Sequence, residues 1–211
     1  METQVKKPTL MIIDGDGGPQ NFVRLSYLHC YDYQEFTNDK GEKTKNWSVS
    51  VIVPPSHPAI AKAVAMMKAA ANETWKDKGP EIYAQLKAQD RLAIHDGNNK
   101  NEEAYAGNWY FNCNSKVRPT VIGRDHAPLV AADGIPRSGD YGNVEIEIWA
   151  QNKTGTPGKR LNASLMGVQF WRHGESLGGG GRVSEASEFP QAAGADDDAP
   201  VQAATGRDPL E

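Results

Sequence analysis

The sequence predicts a mainly β chain that carries one helical insertion and closes into a small barrel. Three observations carry this expectation. Five segments alternate apolar and polar residues at the period of a strand. One stretch, 58–88, changes to helical spacing and is rich in Ala, Lys and Met. Beyond Leu177 the apolar pattern stops at Gly178–Gly181 and does not return.

Each element follows from local chemistry. A short apolar run, Thr9-Leu10-Met11-Ile12-Ile13, leads into the turn Asp14-Gly15-Asp16-Gly17-Gly18-Pro19. Residues 22–36 are aromatic and β-branched and read as a long strand, ended by the polar turn Asn38–Glu42. Residues 46–53 place Trp47, Val49, Val51 and Val53 on one face and Ser48 and Ser50 on the other, before Pro54-Pro55. After Ser56-His57, Pro58 opens a helix whose Ala59, Ala63, Met67, Ala70 and Ala71 share a face; Pro80 separates it from a shorter helix over 81–88. Residues 95–106 read as a loop, and 124–142 as irregular chain. Residues 108–117, 143–151 and 161–172 read as three further strands, with Gly167 marking a bulge or bend. About five strands with one inserted helix match an OB-type barrel.

The segment 178–211 is Gly-, Ala-, Asp-, Gln- and Pro-rich and cannot bury enough apolar surface to offset its ordering entropy. We therefore expect one domain over 1–177, with its helical insertion at 58–88, and a disordered acidic tail over 178–211. The net charge of −4 hides a division. From Val183 to Glu211 seven acidic residues face one Arg, which puts this stretch at −6 and leaves residues 1–182 at +2.

The strand at 108–117 is the most informative segment. Alternation puts Trp109, Phe111 and Cys113 on one face, which reads as core together with Trp47. It puts Tyr110, Asn112, Asn114, Lys116 and Arg118 on the other. An aromatic, two amides and two cations spaced about 6–7 Å apart along a strand suit an extended nucleic-acid strand, with a base on the tyrosine and phosphates on the cations. Tyr27, His29, Tyr31 and Tyr33 share a parity on the first long strand. Trp149 falls on the polar parity of 143–151, and Lys153, Lys159 and Arg160 flank a Gly-rich turn suited to holding a backbone.

Other chemistries lack their residues. Asp14-Gly-Asp-Gly-Gly has no following acidic ligands at EF-hand offsets and reads as a plain turn. Glu145 and Glu147 share a strand face but have no third carboxylate for a Mg²⁺ nuclease. The five His residues show no metal spacing, and no P-loop, GxSxG or Rossmann fingerprint occurs. Cys30 and Cys113 read as small buried hydrophobes. No secretory leader opens the chain, and no apolar run approaches the roughly 18 residues of a membrane span. No cofactor, no metal and no membrane association are expected.

The chain resembles the divergent single-stranded DNA-binding proteins of tailed bacteriophages. The resemblance lies in Leu25-Ser26-Tyr27, in Trp47-Ser-Val-Ser-Val-Ile-Val-Pro54 ahead of a helix, in Asn112-x-Asn-Ser-Lys116-x-Arg118-Pro119, and in Gly167-Val-Gln169 followed by Gly174-Glu175. Together these span roughly residues 22–177. It implies an OB-fold, a part in phage DNA replication, recombination and repair in the cytoplasm of the infected bacterial host, no catalysis, and a tail that recruits replication or recombination proteins. The family's tails often close an acidic run with an aromatic. Here Asp196-Asp197-Asp198 lies well ahead of the terminal Asp208-Pro209-Leu210-Glu211.

The expected activity is non-catalytic, sequence-independent binding of single-stranded DNA through Tyr31, Tyr110, Lys116, Arg118, Arg124, Trp149 and Arg172. The rival readings are a single-strand annealing recombinase, an RNA-binding OB module, a nuclease using Glu145 and Glu147, and a phage structural protein.

Overall fold

The computed structural model describes residues 8–37, 41, 43–155 and 158–177. The expected tail, 178–211, lies outside the described residues. Eight strands and two helices follow in order: β1 (Thr9–Ile12), β2 (Arg24–Thr37), β3 (Lys43–Val53), α1 (Pro58–Trp75), α2 (Gly79–Ala88), β4 (Ile94–Asp96), β5 (Trp109–Ser115), β6 (Thr120–Ile122), β7 (Tyr141–Gln151) and β8 (Arg160–Arg172).

Five of the strands form a closed ring, β2–β3–β5–β8–β7 and back to β2. All neighbours are antiparallel except β5 and β8. This is an OB-like barrel, as expected. β1 extends the ring beside β7, β6 beside β8, and β4 beside β5. Two of these additions, β4 and β6, fall where the sequence reads as loop or carries no strand signal. Three residues are too few for alternation to show.

The core is filled by the inward parity of every ring strand. Leu25, Val49, Val51, Phe111, Cys113, Ile146, Ile148, Leu161, Ala163 and Leu165 are all buried. The thiols of Cys30 and Cys113 are free and buried; desolvation pushes Cys30 up to about 11 and Cys113 higher. Helix α1 buries Ala59, Ala63, Met67, Ala71 and Trp75, a stripe at four-residue spacing, against β7, β1 and β8. Small alanines let the helix approach the barrel closely, and Trp75 Nε1 donates to Asn152 Oδ1 at 3.0 Å to fix its far end. A 3-10 turn, Lys76–Lys78, joins α1 to α2.

The bulge expected at Gly167 is present. Glu145 pairs with Gly167 and Ile146 with Leu165, so Met166 is the extra residue. Two tryptophans depart from expectation. Trp47 is half-buried, because β2 and β3 run on past Ser115, its partner on β5, as a two-stranded arm with no barrel beneath it. There it packs edge-on against Tyr33, ring centroids 5.4 Å apart. Trp109 lies at the first position of β5, beyond the core, and is 36% exposed between β4 and the helices.

The helix start sets a pH dependence. His57 is buried at the N-cap of α1, where Nδ1 accepts from the Ala59 N–H at 3.1 Å and Nε2 donates to the Ile13 carbonyl at 3.0 Å. The bond accepted by Nδ1 needs the neutral ring, and burial holds the imidazole below its ordinary value. The unfolded chain takes up this proton near about pH 6.5. The contribution of His57 is therefore complete above that pH and is lost as the pH falls below it. Thermal melting from pH 7 to 5 should show a falling midpoint. The fall should be shallower in His57→Asn, which keeps a capping acceptor that does not titrate; equal slopes would exclude His57 as a source.

Candidate functional site

The outward parity of the barrel strands builds a continuous polar face. Ser26 pairs with Ser50 and Ser50 with Asn112; His29 pairs with Ser48 and Ser48 with Asn114. On β8, Asn162 and Ser164 flank Ala163, the partner of Cys113, and across from Asn162 stands Trp149. A cavity of about 400 Å³ opens on this face. It is lined by Ser48 and Ser50 of β3, Asn112 and Asn114 of β5, Tyr27 of β2, His95 of β4, and Arg160 and Asn162 of β8.

The lining presents donors. Ser50 Oγ donates to Asn112 Oδ1 at 3.0 Å, and Asn46 Nδ2 donates to Asn114 Oδ1 at 2.9 Å. Each carboxamide thus spends its oxygen on a neighbour. Among the described residues, neither amide nitrogen of Asn112 and Asn114 has a protein partner, so both keep N–H groups for a ligand. No acidic residue is among those lining the cavity, although the whole chain carries −4. Among the described residues no group of three His, Cys, Asp or Glu is placed to hold a metal ion.

Tyr110 shares this face with Asn112 and Asn114, as alternation predicts, but it is 7% exposed. The segment 97–108 folds over it. Tyr105 meets it edge-on at 5.1 Å, His95 stacks at 5.2 Å, and Ile52 completes a small apolar cluster outside the barrel. The expectation of an open Tyr110 is thus corrected, because a loop buries it. The same loop delivers Lys100, whose Nζ lies 4.8, 4.2 and 4.9 Å from the ring centroids of Tyr27, Tyr105 and Tyr110.

At the other end of β5, Lys116 and Arg118 are exposed. Arg118 lies 5.8 Å over the ring of Tyr31, whose phenol donates to the Ile135 carbonyl. Burial pushes that phenol up to about 12, so it remains a neutral donor. Lys45 lies 4.3 Å over Tyr33 on the nearby arm. From Tyr110 to Ser115 the track is about 17 Å long at the rise of a strand, and Lys116 and Arg118 follow in the bend beyond β5.

Two expected residues lie apart from it. Arg124 stacks 4.9 Å over Trp171. Arg172 pairs with Asp14 at 2.9 Å and lies 3.5 Å over Tyr141. It stands ten residues along β8 from Asn162, roughly 30 Å at strand rise. Asp14 itself is structural, accepting from the Val23 N–H at 2.8 Å. Alternation cannot distinguish the two ends of one strand, which is how Arg172 enters a sequence-based set. The residues that sequence reasoning passes over are His95, Lys100 and Asn162, while Tyr27 and Arg160 are noted by parity and by the basic turn but stand outside the expected set. Lys100 lies in a segment with no periodicity.

Comparison with known proteins gives a consistent family. The family described as Enterobacter phage Enc34, ssDNA-binding protein, matches residues 19–200. Protein p50 of Acyrthosiphon pisum secondary endosymbiont phage 1 is 35% identical over 172 residues, covering 80% of this chain and 90% of that protein. The single-stranded DNA-binding protein of bacteriophage Enc34, solved in complex with ssDNA, superposes with a TM-score of 0.55 at 22% identity, over 75% of this chain and 87% of that one. The fold is also similar to gp2.5, a single-stranded DNA-binding protein encoded by bacteriophage T7, with a TM-score of 0.53 at 12% identity, over 90% of this chain and 100% of that one.

The covering loop depends on one glycine. A Cβ at Gly97 would overlap the carbonyl oxygens of Tyr105 and Asn108. Gly97→Ala should therefore lift the loop, cost about 1–3 kcal/mol in urea unfolding, and expose Tyr110 to solvent quenchers of tyrosine fluorescence. A variant as stable as the parent would show that the loop does not hold this packing.

Proposed function

The chain belongs to the family of the Enterobacter phage Enc34 ssDNA-binding protein, and we propose that it binds single-stranded DNA in the groove over β3, β5 and β8, without sequence preference and without catalysis. The observation that carries this reading is a donor-rich cavity with no acidic lining on a net acidic chain. Phosphates and base carbonyls accept hydrogen bonds, and this surface supplies donors and cations.

The groups divide by task. Arg160, Lys116 and Arg118 neutralise phosphates along the track. Asn112, Asn114 and Asn162 bond to base edges, and Trp149 stacks a base beside Asn162. A site of this length suits the lower end of the roughly 4–16 nucleotides that one OB barrel covers. Arg172 and Arg124 belong to the fold in this reading, since both lie apart from the groove and Arg172 is paired with Asp14. The setting is phage DNA replication, recombination and repair in the host cytoplasm. No described helix is long and apolar enough to cross a membrane. The acidic residues of 178–211 are proposed to contact replication or recombination proteins.

Titration with oligo-dT tests the reading. Intrinsic tryptophan fluorescence should be quenched, and Trp149→Phe should remove most of the change. Affinity should fall with salt, with a log–log slope of about −0.7 per phosphate neutralised. Arg160→Ala should reduce that slope by about one such step, whereas Arg172→Ala should lower thermal stability and leave the slope unchanged. Absence of any binding at low salt would overturn the function. Binding that ignores both Arg160 and Trp149 would overturn the site.

A further inference from the structure

Tyr27 differs from the other aromatics of the outer face in being held outward by neighbouring groups. Its side chain is 52% exposed, and its backbone φ of +48° lies in the left-handed region that bulky residues rarely adopt. It occupies a bulge of β2, between the pairs Ser26 with Ser50 and His29 with Ser48. The bulge re-aims the side chain, and Tyr27 lines the groove. The covering loop then fixes the ring. The phenol donates to Glu102 Oε1 at 2.9 Å, and Lys100 Nζ lies 4.8 Å over the ring. The hydrogen bond to the Glu102 carboxylate holds the phenol above its ordinary value and keeps it a donor.

Lys100 is itself enclosed. Besides Tyr27 it faces the rings of Tyr105 and Tyr110, and Glu102 Oε1 is 3.9 Å away. An ammonium surrounded by aromatic faces is attracted by all of them, and here it also offsets the carboxylate that stands closest to Tyr27. Its charge serves the cage, and it occupies one face of the Tyr27 ring.

Resting on the reading of this groove as a single-stranded DNA site, we infer that Tyr27 is the fixed stacking wall of a nucleobase subsite above Ser50 and Asn112, and that Lys100 is a positioning residue which holds this wall and does not contact phosphate. The ring is set before DNA arrives, so little order is lost on binding.

The test measures affinity of the full chain for oligo-dT across a salt series, with thermal melting of each variant. Tyr27→Ala should weaken binding about tenfold, within the range for loss of one stacked base, and leave the salt slope unchanged. Lys100→Met should weaken it severalfold, again without a change in slope, and Lys100→Arg should restore it. The double variant should bind no more weakly than Tyr27→Ala alone. A slope reduced by about 0.7 in Lys100→Met, or additive losses in the double variant, would make Lys100 a phosphate contact and overturn the assignment. If Lys100→Met melts early, Tyr27→Phe carries the test, since it removes only the bond to Glu102. Affinity between those of the parent and Tyr27→Ala supports the hold, and parental affinity overturns it. Loss of binding in Arg160→Ala but not in Tyr27→Ala sinks this inference alone; indifference to both sinks the groove itself.

Discussion

The barrel closes through a seam that is one ladder pair wide, Arg24 with Tyr141, and the geometry of the outer face depends on it. The seam is reinforced from both sides. The Leu25 N–H donates to the Asp140 carbonyl and the Gly142 N–H to that of Val23, while the Gly139 N–H reaches the Leu25 carbonyl. The Asp140 carboxylate, fully buried, accepts from the Arg137 and Gly174 N–H groups and meets His173 Nδ1 at 3.3 Å. The Tyr141 ring lies beneath two guanidinium groups, Arg172 at 3.5 Å and Arg24 at 5.7 Å, and Asp14 neutralises the nearer one. Burying a carboxylate is costly unless such partners surround it. A short seam thus gains strength from side chains where ladder hydrogen bonds are few.

Closure lets a mostly small, polar face work as a groove. With β2 anchored to β7, the bulges of β2 can turn Tyr27 outward and send the β2–β3 arm past the end of β5 without freeing the strand. The segment between β4 and β5 uses the opposite tactic, burying Tyr105 and Tyr110 outside the barrel so that a surface loop has a core of its own. Between these two raised edges lie serines and asparagines. They are short enough to leave space and polar enough to hold donors toward it.

Much of this was legible in the chain. The five long strands, the helix beginning at Pro58, the bulge at Gly167 and the inward parity of Val49, Val51, Phe111 and Cys113 follow from periodicity, because burial on one side of a strand imposes a period of two. The outward row Asn112, Asn114, Lys116, Arg118 was legible for the same reason. Trp47 and Trp109 were not, since parity names a direction and says nothing of where a core ends. Arg172 and Arg124 were not either, since residues on one strand can stand a barrel's length apart.

The sequence by itself determined which side of each strand is apolar, and that suffices for the barrel and its polar face. Those properties are local, repeated along the chain and paid for by burial of many similar side chains. Only the tertiary structure decided which residues of the polar face are open. The 97–108 segment covers Tyr110 and brings Lys100 to Tyr27, a meeting of residues about seventy positions apart that no local period encodes. Alternation singled out the face bearing Tyr110, and folding transferred its exposed aromatic edge to Tyr27.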